Sequence, residues 1–242
     1  MKVTYVYHSC FVIEFENVVF VFDYFQGEIP AFDKSKEVIF FASHKHHDHF
    51  SMEIFKAIEK YDKVTFVLSS DISLSCNYML RHGYGEGIMS HIIKVGKNQS
   101  VTLTVANKEL KVETLTSTDQ GVAFLLQYED KTIYHAGDLN WWAWPGETKE
   151  YNIDMELKYK NEVNKLKDKA INIAMVVLDP RQEELYWQGF DYFMRTTNTL
   201  QVFPMHCWED YRIIDSMVQR RESESYRNQM IIITEEGQTF DC

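Results

Sequence analysis

The sequence predicts a layered α/β fold, with strands in two groups and helices outside them. Two patterns and one absence support this. Apolar, β-branched and aromatic residues dominate short runs in the first half, and helical periodicity takes over in the second. Only four prolines and ten glycines occur, and no repeat, low-complexity stretch or Pro/Gly/Ser linker divides the chain, so a single domain over residues 1–242 is expected.

Taken in order, strands are expected at residues 3–7, 10–15 and 18–22, the last two parted by the Glu16-Asn17 turn. Residues 38–42 form a continuous apolar run of the buried-strand type. After a polar stretch, Ser51 can cap a helix whose Ile54, Phe55, Ile58 and Tyr61 share one face, with Glu53 in its first turn. A strand at 64–68 and a helix that Asp71 can cap precede strands around 89–95, 100–105, 109–116, 121–128 and 131–135. Beyond them Tyr151, Met155, Tyr159, Val163, Leu166 and Ala170 recur every three to four residues, the buried stripe of a helix whose Glu and Lys residues face solvent. A buried strand at 173–178, a helix at 183–197, a short strand at 200–203 and a helix at 209–222 complete the series.

With 242 residues, 45% hydrophobic and 14% aromatic, the chain has material for a large core. Its net charge of −11 and lack of a Lys/Arg cluster argue against long nucleic acid as a partner, because phosphate binding works through counterion release by clustered cations. A small-molecule substrate fits better. Cysteines at 10, 76, 207 and 242 have no CxxC spacing and read as reduced thiols. The amino terminus alternates like a strand rather than like a secretion signal, and no apolar run approaches the ~20 residues that span a bilayer. A cytoplasmic protein with no membrane partner is therefore expected. Its oligomeric state, homo-oligomer included, stays open.

Residues 44–49 read His44-Lys45-His46-His47-Asp48-His49, four histidines and one aspartate in six positions. Alternate positions of an extended loop place His44 and His46 on one side, where both imidazoles reach a single ion. Where the chain bends toward the next helix, Asp48 and His49 can face a second. The bland alternative makes Asp48 a helix cap and the histidines surface polar residues. A lone histidine would suit it, whereas four beside a buried strand favour metal binding. These donors suit zinc first, with manganese or iron as alternatives, and without a nearby cysteine a purely structural thiolate site is disfavoured.

The spacing HxHxDH, met at His44, His46, Asp48 and His49, resembles the signature of the metallo-β-lactamase fold superfamily. Three further segments agree with it, in order along the chain. "HSCFVIEFENVVFVFD" at 8–23 is similar to the opening of the branch that contains L-ascorbate-6-phosphate lactonase, "IYHAGD" at 133–138 resembles the superfamily's strand ending in Gly-Asp, and "FPMHCW" at 203–208 resembles the segment with its last metal histidine. The resemblance implies an αββα sandwich with two divalent metal ions at one edge, between the sheets. It assigns His44, His46 and Asp138 to the first ion, and Asp48, His49, Asp138 and His206 to the second, with Asp138 bridging. Taken alone, Asp138 would pass for a turn residue after glycine and His206 for a core histidine.

The superfamily usually supplies one more histidine to the first ion, where this chain reads Thr116-Ser117-Thr118-Asp119-Gln120-Gly121. Asp119 can substitute as an oxygen ligand, Ser117 or Thr118 can hold a water, or the first site is weak or empty. Otherwise Asp119 is a turn residue before the next strand. Among supporting positions, Asp23 can fix the tautomer of a ligand histidine, or merely end its strand. His8 and Ser9 line the same edge by family analogy. The three tryptophans of "DLNWWAWPGE", Trp141 and Trp142 with Trp144, either wall a pocket or cover the sheet end. In "LDPR", Asp179 or Arg181 can meet substrate, an anion in the case of Arg181, or form an ordinary surface ion pair.

These residues imply a metal-dependent hydrolase of a small molecule, whether lactone, other ester, amide or phosphoester. Two ions about 3.5–4 Å apart lower the pKa of a shared water from roughly 15.7 toward about 7 and so supply hydroxide, with Asp48 or Asp138 orienting it or relaying its proton. A competing reading is a phosphodiesterase acting on nucleotides. From another class comes a non-catalytic metal-binding or sensor protein, which the missing histidine supports. A redox di-iron role fits less well, since that branch typically carries a glutamate at the position of His46.

Overall fold

Strands that are apolar at every position need cover on both faces, and that requirement shapes the molecule. The structure is a computed structural model that describes residues 1–242 apart from the side chain of Glu86. Its strands are β1 (Lys2–Tyr7), β2 (Cys10–Glu14), β3 (Val18–Phe22), β4 (Glu37–Ala42), β5 (Lys63–Ser69), β6 (Ile92–Val95), β7 (Ser100–Val105), β8 (Lys108–Thr116), β9 (Val122–Tyr128), β10 (Lys131–His135), β11 (Ala170–Val177), β12 (Asn198–Met205) and β13 (Thr239–Asp241). The helices are α1 (Ala57–Lys60), α2 (Cys76–Arg81), α3 (Lys149–Val163), α4 (Gln188–Thr196) and α5 (Arg212–Gln219). One sheet has seven strands in the order β13-β1-β2-β3-β4-β5-β6, the other six in the order β12-β11-β10-β9-β8-β7.

Alternation assigns each side chain to a face. Val18, Phe20 and Phe22 of β3 join the core between the sheets, while Val19 and Val21 join the core outside the first sheet. In β4, Ile39 and Phe41 point inward and Val38, Phe40 and Ala42 outward. Across the inner gap Phe41 meets Phe124 of β9 at 5.4 Å between ring centroids, and Phe15 meets Tyr128 at 5.2 Å. On the outside of the first sheet Phe55 packs on Phe66 at 4.7 Å, and on the outside of the second Phe193 of α4 stacks on Tyr134 at 4.8 Å. The layers are therefore αββα, as the sequence predicts.

Strand direction decides where the chemistry gathers. β1 and β3 both run antiparallel to β2, and β3 to β6 are mutually parallel, so β1, β3, β4, β5 and β6 share one direction. By the same reasoning β8, β10, β11 and β12 share a direction in the second sheet. The carboxyl ends of these strands meet at one rim.

Several elements differ from expectation. Ser51 does cap, its Oγ accepting from Glu53 N at 3.2 Å, but a 3-10 turn at Met52–Lys56 and the single turn of α1 replace a regular helix. Asp71 caps no helix: Ser75 Oγ serves α2, and Asp71 instead accepts from Lys45 N at 3.2 Å, beside the histidine run. The stripe from Tyr151 stops at Val163; Leu166 lies in a 3-10 turn and Ala170 opens β11, drawn there by pairing with Asn198. A 3-10 turn at Glu86–His91 takes up the first part of the strand expected at 89–95, leaving β6 at Ile92–Val95. The helices expected at 183–197 and 209–222 are shorter, α4 following a 3-10 turn at Pro180–Leu185. β12 is longer than predicted and leads directly to His206, and β13, unanticipated, pairs with β1. Among the described residues no helix is long and apolar enough to cross a membrane.

Candidate metal centre

All but β5 and β6 of the strands ending at this rim hand the next few residues to the site. His8 follows β1, Asp23 follows β3, the run 43–49 follows β4, Asp119 follows β8, Asp138 follows β10, Asp179 follows β11 and His206 follows β12. Three of these non-glycine residues take left-handed backbone, His8 at φ 53, Asp23 at φ 43 and His206 at φ 67. Each such turn costs about 1–3 kcal/mol and persists only where its surroundings hold it. Two glycines permit a close approach between the sheets. A Cβ on Gly121 (φ +66) would lie 1.9 Å from Ser43 O, and one on Gly137 (φ +50) would lie 2.6 Å from Ser43 Cβ. Val122 N donates to Ser43 O at 3.0 Å across the same contact.

Two clusters form, and Asp138 faces both. In the first, His44 Nε2 lies 3.0 Å from His46 Nδ1 and 3.4 Å from Asp138 Oδ2, and His46 Nδ1 lies 3.5 Å from Asp119 Oδ2. In the second, Asp48 Oδ2 lies 3.5, 3.9 and 4.0 Å from the Nε2 atoms of His8, His49 and His206. Asp138 Oδ1 faces this second group, 3.1 Å from His49 Nε2 and 3.3 Å from His206 Nε2. One donor atom from each of His44, His46, Asp119 and Asp138 falls within 4.8 Å of the others, and the same holds for His8, Asp48, His49 and His206.

The donors fit cations. The Nε2 atoms of His8, His49 and His206, and Asp138 Oδ1, are buried without any hydrogen-bond partner. Each such orphan costs about 1–3 kcal/mol, and four converging on one point account for themselves if an ion stands there. The rings are set from behind. His49 Nδ1 lies 2.8 Å from Asp23 Oδ2 and His206 Nδ1 lies 2.9 Å from Asp179 Oδ2, so each donates from Nδ1 and aims the Nε2 lone pair inward. Ser43 Oγ donates to Asp23 Oδ2 at 2.6 Å and lies 2.9 Å from His44 Nδ1, while Ser43 N donates to Asp23 Oδ1 at 2.7 Å.

Carboxylates and imidazoles at the rim stabilise each other's charge. Burial works against the charge on Asp48 and Asp138, yet His8 and His49 hold the first below the usual carboxylate range, and His49 and His206 hold the second well below it. Burial also works against protonation of His49 and His206, but Asp138 raises both, with Asp23 and Asp179 adding from behind. Burial pushes His8 down to about 4.

Trp142, Trp144, Tyr151 and Met155 wall a cavity of about 350 Å³ over the clusters, and Arg181 also lines it. A larger groove of about 560 Å³ beside Glu209 and Arg212 contains none of the clustered donors, and the smaller cavity is the one that matters for chemistry. Trp141, expected at the pocket alongside Trp142, is not in its wall. Neighbouring side chains in an extended loop point opposite ways, so Trp141 turns to Lys160, whose Nζ sits 4.7 Å from its ring centroid, and Trp144 stacks parallel to Trp142 at 5.8 Å.

At the position of the missing histidine, Asp119 faces the cluster, whereas Ser117 Oγ accepts from Asp119 N at 3.2 Å and Thr118 Oγ1 donates to Asn140 O at 2.6 Å. His47, inside the run, is 92% exposed and stands apart. Asp179 and Arg181 form an ion pair, half-buried rather than on the open surface. Asp179 is fully buried, and Arg181 Nε lies 3.0 Å from each of its oxygens while the guanidinium carbon sits 4.6 Å from the Trp208 ring centroid. Sequence reasoning passed over Ser43 and the cavity-facing side of Tyr151 and Met155. For Asp179 a signal existed: like Asp23, it is an aspartate closing an apolar strand.

Residues 2–150 match the family described as "Beta-lactamase superfamily domain". No curated relative matches the chain. Among solved structures, a metallo hydrolase from the hyperthermophilic archaeon Ignicoccus hospitalis is similar with TM-score 0.61 and 15% identity, over 100% of this chain and 98% of that one. Human tRNase Z, short form, is similar with TM-score 0.57 and 13% identity, over 100% and 99%. CmlA, a diiron β-hydroxylase from Streptomyces venezuelae, is similar with TM-score 0.58 and 12% identity, over 100% of this chain and 54% of that one. At these identities the likeness concerns the fold alone, and it selects neither a substrate nor the lactonase branch.

Proposed function

We propose that this chain, which belongs to the β-lactamase superfamily, is a metal-dependent hydrolase of a small molecule. One observation carries the reading: Asp138 presents Oδ2 to one cluster and Oδ1 to another, and the buried nitrogens around Oδ1 have no other partner. His44, His46, Asp119 and Asp138 would hold one ion, and Asp48, His49, His206 and Asp138 the other, with zinc the first candidate and manganese or iron next. Bound there, the ions supply a Lewis acid and a water made acidic enough to attack at neutral pH.

The chain's own residues do the rest. Asp48 is both a cluster member and part of the cavity lining, which places it to hold or pass a proton at the reacting centre. Trp142, Trp144 and Met155 limit water and give the substrate an apolar wall. Asp179 and Trp208 fix Arg181, leaving the far edge of its guanidinium for a carboxylate or phosphate on the substrate. That edge makes an anionic lactone, ester or phosphoester the favoured subclass, a mononucleotide among them. The net charge of −11, with no Lys/Arg cluster in the sequence, argues against a nucleic-acid polymer as substrate, and a cytoplasmic setting is part of this reading.

The test is a metal count on the purified protein together with hydrolysis assays over lactones, esters, amides and phosphodiesters. Turnover should vanish with chelator and return with added ions. Asp138→Asn should lower it by more than the about 10–100-fold typical of losing an outer partner. Tight metal with no chelator-sensitive turnover on any class would point instead to a binding or sensor protein.

A further inference from the structure

We propose that His8 is itself a metal ligand, and that it makes the His8, Asp48, His49 and His206 cage the tighter of the two sites, filled before the other. This rests on the hydrolase reading for the presence of ions. It adds a donor from the first turn of the chain, which the family resemblance placed only at the edge of the site.

His8 Nε2 is buried, has no hydrogen-bond partner, and falls within 4.8 Å of a donor atom from each of Asp48, His49 and His206. The His8 backbone is pinned at both ends and its ring packs on two others. His8 N donates to the Tyr5 hydroxyl at 2.9 Å, His8 O accepts from His206 N at 3.1 Å, and the ring lies 4.0 Å from that of His206 and 4.4 Å from that of Trp208, centroid to centroid. A substrate contact does not explain this placement, because His8 does not line the cavity while Asp48 and His206 do. The ring reaches the reacting centre only through the cage.

The consequence is asymmetry. With His8 the second cage has three imidazoles plus Asp48 and the shared Asp138, whereas the first has two imidazoles plus Asp119 and the shared Asp138. The histidine absent between Thr116 and Gly121 is thus balanced by an extra one in the other cage. Burial sharpens the contrast, since His8 and His206 side chains are 1% and 2% exposed against 36% for His46 and 44% for Asp119. A closed, nitrogen-rich cage prefers zinc or cobalt, and an open, oxygen-rich one favours harder ions and exchanges them readily.

The experiment is a titration of the ion-free protein with Zn²⁺ and with Co²⁺ against a chromophoric chelator, following the cobalt absorption bands. Wild-type protein should bind in two separable steps. His8→Asn, chosen because asparagine tolerates the left-handed backbone at this position, and His8→Gln should each weaken the tight step by about 100-fold or more, beyond what an outer partner costs. The cobalt spectrum of that step should change, and the weak step should stay in place and so report an intact fold. Asp119→Asn should do the reverse. An unchanged tight step and cobalt spectrum in both His8 variants overturns the assignment, and chelator-sensitive hydrolysis would still stand. Loss of both steps in variants whose circular dichroism is unaltered overturns the division into two sites. Failure of the wild type to take up any ion overturns the hydrolase reading as well.

Discussion

Asp23 is fully buried and, among the described residues, has no lysine or arginine against it, a placement that costs several kcal/mol unless donors surround the carboxylate. Ser43 N, Ser43 Oγ and His49 Nδ1 are those donors, so the charge of Asp23 is spent on orienting one imidazole and steadying the loop before His44. Asp23→Asn keeps the shape and removes the charge; ion affinity measured by chelator competition should fall about 10–100-fold. Asp179→Asn should do the same through His206 and also loosen Arg181. Unchanged affinity in both would mean that the rings need no support. The hexapeptide was legible because its donors are consecutive, and Asp23 because a carboxylate ending an apolar strand is conspicuous. Ser43 was not, since only the parallel register that pairs Phe22 with Phe41 brings it beside Asp23. His8 was visible as an edge residue, but its approach to His206 joins positions at opposite ends of the chain.

At the scale of elements, the site depends on how closely the loop after β4 approaches those before β9 and after β10. Gly121→Ala would put a Cβ 1.9 Å from Ser43 O at φ +66, strained both sterically and in the backbone. A loss of about 3 kcal/mol would lower the thermal midpoint by roughly 6–12 °C for a chain of this size, and the same shift should displace Asp119 and weaken the first ion. Gly146→Ala, with nothing within 4 Å and an ordinary φ, is the control and should leave the midpoint unchanged. Equal midpoints in the two variants would remove the argument for close packing here. Strands were the readable elements because their apolar runs carry a burial signal at every position. Helix ends were less so: the spacing that suggests continuation through Leu166 and Ala170 is overridden when Ala170 pairs with Asn198, and Ser75 rather than Asp71 caps α2 because Asp71 is taken by Lys45 N.

Across the whole molecule, the ions would add a clasp between two layers that otherwise meet through their apolar faces and a few hydrogen bonds, such as Val122 N to Ser43 O and His206 N to His8 O. His8, His44, His46, Asp48 and His49 come from the rim of the seven-stranded sheet, while Asp119, Asp138 and His206 come from that of the six-stranded sheet. The layered fold was readable because apolar alternation specifies two covered sheets, but no local pattern says which strand ends will face one another; that follows from the shared strand direction in each sheet. Binding should therefore stabilise the sandwich as a unit. An ion that binds only the folded chain adds about 4.1 kcal/mol when its free concentration is about 1,000 times its dissociation constant, which corresponds to a rise in midpoint of roughly 8–16 °C for a chain of this length. Chelation should reverse it. The rise should be larger for wild type than for Asp138→Asn, in which the residue facing both clusters loses its charge, and amide exchange should slow at the ends of β4, β10 and β12 together. A midpoint independent of zinc concentration, or protection confined to one sheet, would mean that the ions do not clasp the layers.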